Sequence, residues 1–314
     1  MACLAGWAQR CAAILAALVL TLAGLPLVEE ARAEVLVVVT TPDLKSITEA
    51  VSGGAVRVES LVQPGADAEA FVLRPSHVAL IRDAALVVRI GLGYDEWLDK
   101  LLRQTGDARP VREGRILDLS TDIALLEVQS RSIEARSGHA HGAANPHYWL
   151  DPENAEAMSA RIAEAVGRVV PEMKNTITAA QVRFSTDLTR RLKGWVATLS
   201  PFQGAAIVAY HNSWPYFARR FRLNIVDLIE PKEGVAPSPA RLASLAGRMR
   251  ASRARAILHE PFEPLEPSRY LAERTGARVV VLASSVGSVP EATDYLALFD
   301  VNVDRLAKAL AEAQ

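Results

Sequence analysis

The chain has 314 residues, a formal charge of −1 and a hydrophobic fraction of 50%. That near-neutral balance gives no support to a polyanion partner such as nucleic acid. Its two cysteines, Cys3 and Cys11, both precede residue 34, so disulfides and thiolate metal sites are excluded from the rest of the chain.

Residues 1–33 have the layout of a secretory signal peptide. Arg10 carries a positive charge, residues 11–27 are almost wholly apolar, and Ala31-Arg32-Ala33 offers a small-residue cleavage site before Glu34. The apolar run is short for a membrane span, and no later stretch is long enough for one. The expectation is a soluble, exported protein cleaved after Ala33, without a lipid anchor. About 280 residues then remain, enough for one large domain or two lobes.

From residue 34, β-branched runs alternate with helix-period segments. Residues 34–40 (EVLVVVT) read as a buried strand, and Pro42-Asp43 opens a helix that Gly53-Gly54 closes. Strands follow at 56–62 and 85–90, with a helix capped by Ser76 between them and another around 94–104. This order implies a mostly parallel sheet covered by helices. Residues 153–200 are then helical in character, broken only at Pro171. Within them Ile177, Phe184, Leu188, Leu192, Trp195 and Leu199 recur at helical spacing. A helix of about 25 residues there would be about 37 Å long. Alternation resumes with strands at 204–209, 224–229, 255–259 and 277–283. The expected architecture is α/β: two Rossmann-like lobes with parallel sheets, residues 34–171 and 201–314, joined by one long rigid helix over 172–200.

Ligands of open α/β sheets sit beyond the carboxyl ends of the strands. Four metal-binding side chains fall there: Glu69, His147, His211 and Glu260. Two imidazoles and two carboxylates suit zinc, and less decisively manganese or iron(II). They come from distant loops and form no compact motif, so spacing alone is a weak signal.

The chain also resembles a known family, the zinc- and manganese-specific periplasmic solute-binding proteins of ABC importers. His147 lies in NPHYWLDPENA, similar to the family's D-P-H-x-W-L-D-P segment. His211 lies in AYHNSWPYFARRFRL, similar to its H-x-x-x-x-Y-F-A-x-x-x-x-L segment. ILHEPFE and TDYLALFDVNVDRL resemble two further family segments. The resemblance implies two α/β lobes on a spanning helix, histidine ligands at 147 and 211, a metal cargo and a membrane permease as partner. A monomer is expected.

Two departures stand out. Where the family has its first histidine ligand, this chain has Glu69, in GADAEAFVL. Where the family has a closing aspartate it has Ser284, whose neutral hydroxyl is a poor zinc ligand. Glu260 is the first candidate replacement and Glu230 the second; a hydrogen bond from Glu260 to a liganding histidine is the alternative role. His139 and His141 form a short SGHAHG loop, read as solvated or weakly metal-collecting. His77 reads as a surface or capping residue, and His259 as a packed core histidine. The competing function is an exported zinc hydrolase with an open metal position. The chain has neither H-E-x-x-H nor G-x-S-x-G, so a binding protein rather than an enzyme is expected.

Overall fold

The first sheet consists of β1 (Leu36–Val39), β2 (Arg57–Ser60), β3 (Leu86–Arg89) and β4 (Ile116–Asp118), in the order β2-β1-β3-β4. All its pairings are parallel, so each return needs a crossover. Helices α1 (Pro42–Ser52), α2 (Pro75–Asp83) and α3 (Glu96–Thr105) provide crossovers. α4 (Asn154–Val169) and the 26-residue α5 (Lys174–Leu199) follow. The second sheet repeats the plan with β5 (Ala206–Ala209), β6 (Asn224–Leu228), β7 (Ala256–His259) and β8 (Arg278–Val281), again all parallel, in the order β6-β5-β7-β8. Its helices are α6 (Pro215–Phe221), α7 (Pro239–Ser252), α8 (Leu265–Thr275) and α9 (Tyr295–Glu312). The computed structural model describes residues 34–105, 110, 113–121, 123–127, 144–232 and 234–312. The expected signal segment 1–33 and the His139/His141 loop lie outside them. Among the described residues, no helix is long and apolar enough to cross a membrane.

Strand alternation divides the core into three parts. Val37 and Val39 of β1, Ile207 and Ala209 of β5, and Ala256 and Leu258 of β7 point into one cluster shared by both sheets. Their neighbours point the other way. Val38 joins a cluster with Leu61, Val87, Trp97 and Leu98, while Val208 and Ile257 join one with Leu245, Met249 and Leu271. Burial on both faces is what a parallel sheet requires.

The long helix α5 closes the shared cluster. Ile177, Ala180, Phe184, Leu188, Trp195 and Leu199 are buried along one face, which packs on α1, α4 and α9. At 1.5 Å per residue its 26 residues span about 39 Å, enough to run beneath both sheets. Trp195 Nε1 donates to Asp300 Oδ1 of α9 at 2.8 Å, and its ring lies 5.2 Å from that of Phe299. Removing so large a buried ring typically costs about 3–5 kcal/mol.

The α1 termini follow the sequence signals. Thr41 Oγ1 accepts from Leu44 N at 3.3 Å, Pro42 occupies the first turn, and Gly53 ends the helix at φ +59°. A β-carbon at Gly53 would also crowd α5, coming within 3.1 Å of the Ala180 Cβ. The expected Ser76 cap is not what forms. α2 begins at Pro75, well suited to a first helical position, and the cap residue is Arg74. The Arg74 N–H donates to His77 Nδ1 at 3.0 Å, which gives His77 its capping role. β4 has no counterpart among the expected strands, because three residues at a sheet edge show no period.

Both sheets change direction at their centre, between β1 and β3 and between β5 and β7. The crevice beyond the carboxyl ends of such a switch point is where ligands of open α/β sheets bind.

Candidate metal centre

A cavity of about 410 Å³ opens at those carboxyl ends, and Glu69, His147, His211, Glu230 and Glu260 all line it. One donor atom from each of Glu69, His147 and His211 lies within 4.8 Å of the others. Glu69 Oε1 is 3.6 Å from His147 Nε2, and Glu69 Oε2 is 3.5 Å from His211 Nε2. Donors about 2.0–2.2 Å from a tetrahedral zinc stand roughly 3.3–3.6 Å apart. The spacing and the N/N/O donor set therefore fit a zinc-sized ion.

Each donor is held from behind. The Glu69 loop is folded by Asp67, whose Oδ1 accepts from the N–H groups of Glu69 and Ala70 at 2.9 and 3.3 Å. Trp97 Nε1 anchors the same loop through Ala68 O at 3.2 Å. His147 is buried at the start of a 3₁₀ turn, Tyr148–Leu150, against the mutually touching rings of Tyr94 and Trp149. Tyr148 pins that turn to the first sheet through Ile90 O, and Trp149 pins it to the second lobe through Ser284 O. His211 stands two residues beyond β5.

Hydrogen bonds also set both imidazole tautomers. Asn145 Nδ2 donates to two acceptors, Glu127 Oε2 and Asn212 O, which orients the amide and turns its Oδ1 toward His147. That oxygen accepts from His147 N at 3.0 Å and faces His147 Nδ1 at 3.2 Å. Nδ1 thus carries the hydrogen, and Nε2 faces Glu69. Glu230 Oε2 does the same for His211, 2.7 Å from its Nδ1. Gly234 N donates to the other Glu230 oxygen. Partners of this kind orient liganding histidines and raise their basicity.

Burial works to strip His211 of its proton. The Glu230 hydrogen bond and the charges of Glu69 and Glu260 outweigh it, and the pKa is pushed up to about 9. In the metal-free protein a protonated His211 answers the surrounding carboxylates, and an arriving metal must displace that proton.

Glu260 lies in the same cavity but outside the three-residue donor cluster. It is 2% exposed, and its Oε1 accepts from Ser213 Oγ at 2.5 Å. Burial raises its pKa, against His211 and the Ser213 and Ser284 hydroxyls. Behind it, Glu263 Oε2 accepts from Glu260 N at 2.6 Å, and burial together with Glu260 raises the Glu263 pKa to about 10.

The structure redistributes two sequence-derived roles. Glu230, second choice as a replacement ligand, has its carboxylate divided between His211 Nδ1 and Gly234 N. It, not Glu260, orients a histidine. His259 faces away from the cavity as expected, with Nδ1 3.1 Å from Ser268 Oγ. Sequence reasoning missed Asn145, Glu127 and Asn212; the only signal was an Asn two residues before His147, placed to cap that residue's N–H.

Two parallel-sheet lobes on one long helix, with a largely shielded imidazole–carboxylate cluster in the cleft, define a metal-capturing solute-binding protein. Residues 37–309 match the family model of ZnuA, the periplasmic component A of the zinc-uptake complex, and the chain belongs to that family. It is 26% identical over 246 residues to the high-affinity zinc uptake system protein ZnuA of Yersinia pestis, covering 74% of this chain and 77% of that one. A putative metal-binding protein of Treponema pallidum is 26% identical over 283 residues, covering 88% and 87%. Among solved structures, a crystal structure of ZnuA superposes with a TM-score of 0.74 at 24% identity, over 88% of this chain and 99% of the other. The Mn²⁺ complex of FpvC from Pseudomonas aeruginosa does so with 0.75 at 20%, over 90% and 100%. These proteins are named for metal uptake and binding, and this chain is a binding protein rather than an enzyme.

Proposed function

We propose that the mature protein begins at Glu34, after cleavage behind Ala33, captures zinc in the periplasm as a monomer and delivers it to the membrane permease of an ABC importer. Residues 34–171 and 201–314 serve as its lobes and 172–200 as the connecting helix. Glu69, His147 and His211 hold the ion, with Glu260 as fourth donor. The observation that carries this reading is the approach of the Glu69, His147 and His211 donors to within 4.8 Å of one another. Two imidazoles favour zinc over manganese, in line with the Irving–Williams order, while Glu69 supplies a harder oxygen than a histidine would. Nothing in this role requires bond making: the cleft strips the ion of water, and the loaded form is what the permease meets.

The test is metal analysis of protein recovered from the periplasm, stripped with chelator and reloaded with equal zinc and manganese. Zinc should dominate, on a chain whose first residue is Glu34. A preference for manganese, or an intact Met1 in the membrane fraction, contradicts the reading.

A further inference from the structure

We infer that Glu127 is a positioning residue of the metal site, a clamp that fixes His147 and His211 relative to each other from behind. One carboxylate oxygen, Oε2, accepts from Asn145 Nδ2 at 3.1 Å and from Asn212 Nδ2 at 2.8 Å. Asn145 holds the ring of His147, and Asn212 is the residue next to His211. The two amides are themselves joined, Asn145 Nδ2 donating to Asn212 O at 2.9 Å. Hydrogen bonds thus run His147–Asn145–Glu127–Asn212, and the peptide bond from Asn212 to His211 completes a link that crosses between the segment entering α4 and the loop after β5.

Three features show that the position of Glu127 is imposed. Its backbone is left-handed, φ 54°, a region that residues with a β-carbon rarely adopt. Asn145 and Asn212 are buried, so losing Glu127 costs Asn212 Nδ2 its acceptor, while Asn145 Nδ2 keeps only Asn212 O. The backbone beside Glu127 is tied at the same place: Leu126 O accepts from Asn145 N at 3.1 Å, Leu126 N donates to Tyr216 Oη at 2.9 Å, and Tyr216 Oη donates to Asn145 O at 2.9 Å. The residue as a whole is exposed, yet its acidic end turns inward to two buried donors. A solvated glutamate has no reason to do so.

Without the clamp, Asn145 is less constrained to present Oδ1 to His147, and the His147 Nε2 geometry relaxes. Partners one step behind a metal ligand typically contribute 10–100-fold in affinity; Asn145 stands there for His147, and Glu127 stands one step further back and acts through it. Because one oxygen takes both bonds, a glutamine carbonyl with its two lone pairs can replace it without the charge.

This inference rests on the proposed zinc site, and the experiment separates the two. Zinc affinity by chelator competition, zinc X-ray absorption and metal-free thermal unfolding are measured for the full chain and for Glu127→Ala, Glu127→Gln and His147→Ala. Glu127→Ala should bind zinc about 10-fold more weakly, the low end of the range for a partner that touches the imidazole itself, and show fewer than two ordered imidazoles at the metal. Glu127→Gln should restore both. If Glu127→Ala proves unstable, Asn212→Ser removes half of the clamp and should weaken zinc in the same direction. Wild-type affinity in Glu127→Ala or Asn212→Ser overturns the clamp while His147→Ala still loses zinc. So does a loss in Glu127→Ala that Glu127→Gln fails to rescue, or one with two imidazoles still at the metal. Wild-type affinity in His147→Ala instead removes the underlying site, and the clamp with it.

Discussion

Glu230 Oε2 stands 2.7 Å from His211 Nδ1, nineteen residues away along the chain, and holds the imidazole with Nε2 toward Glu69. Removing that carboxylate frees the ring to rotate and lowers its basicity. Glu230→Ala should therefore weaken zinc binding by about 10–100-fold. Chelator-competition titration measures this, and an unchanged dissociation constant would show that His211 needs no such partner.

Asp43 gives the fold a pH dependence of its own. Its buried carboxylate accepts from Ser285 Oγ at 2.5 Å and from Val286 N at 2.9 Å, joining the start of α1 to the loop after β8. Burial outweighs these hydrogen bonds and raises the pKa from 3.8 to about 6. A raised folded-state pKa means that the protonated form is favoured in the native protein. The associated stability is fully present below pH 3.8 and is lost as pH rises through about 6. A shift of this size corresponds to about 3 kcal/mol. Denaturant unfolding of metal-free wild type and Asp43→Asn should show their stability difference moving against the wild type by up to that amount from pH 4 to pH 8. A difference that stays flat, or moves in the opposite direction, contradicts the assignment.

Glu260 is proposed as the fourth donor although Ser213 holds its Oε1. If it binds the metal, Glu260→Ala should reduce the number of protein ligands at zinc by one in X-ray absorption while both imidazoles remain. An unchanged coordination shell assigns the fourth position to water, and Glu260 to the electrostatics around His211.

Most of the architecture was legible because periodicity survives in sequence. Val37, Val38 and Val39 announce a strand buried on both faces, and the apolar stripe from Ile177 to Leu199 announces a helix packed along one side. β4 lacks such a signal, being only Ile116–Asp118. In the site, His147 and His211 stand out because their flanking segments are distinctive, and Glu69 because it occupies a position where a histidine is expected. Glu230, Asn145 and Glu127 were not legible in their positioning roles. The importance of Glu230 and Asn145 is a matter of which imidazole nitrogen they face, and that of Glu127 of the two amides it joins; both depend on contacts between loops far apart in the chain. A carboxylate near a metal site is equally plausible as donor or as orienter until its distance to Nδ1 is known.

In the proposed site Glu69, His147 and His211 jointly hold zinc. The most direct measurement is a chelator-competition zinc titration of Glu69→Ala, His147→Ala and His211→Ala, each paired with its metal-free unfolding curve. Each variant should lose most of its zinc affinity, and a site about 100-fold weaker loses about 2.7 kcal/mol of zinc-dependent stabilisation. The metal-free unfolding curves separate this loss from changes in the fold itself, because His147 also packs against Tyr94 and Trp149 and a protonated His211 answers the carboxylates around it. Wild-type zinc affinity in any one of the three would contradict the donor set assigned to this cleft.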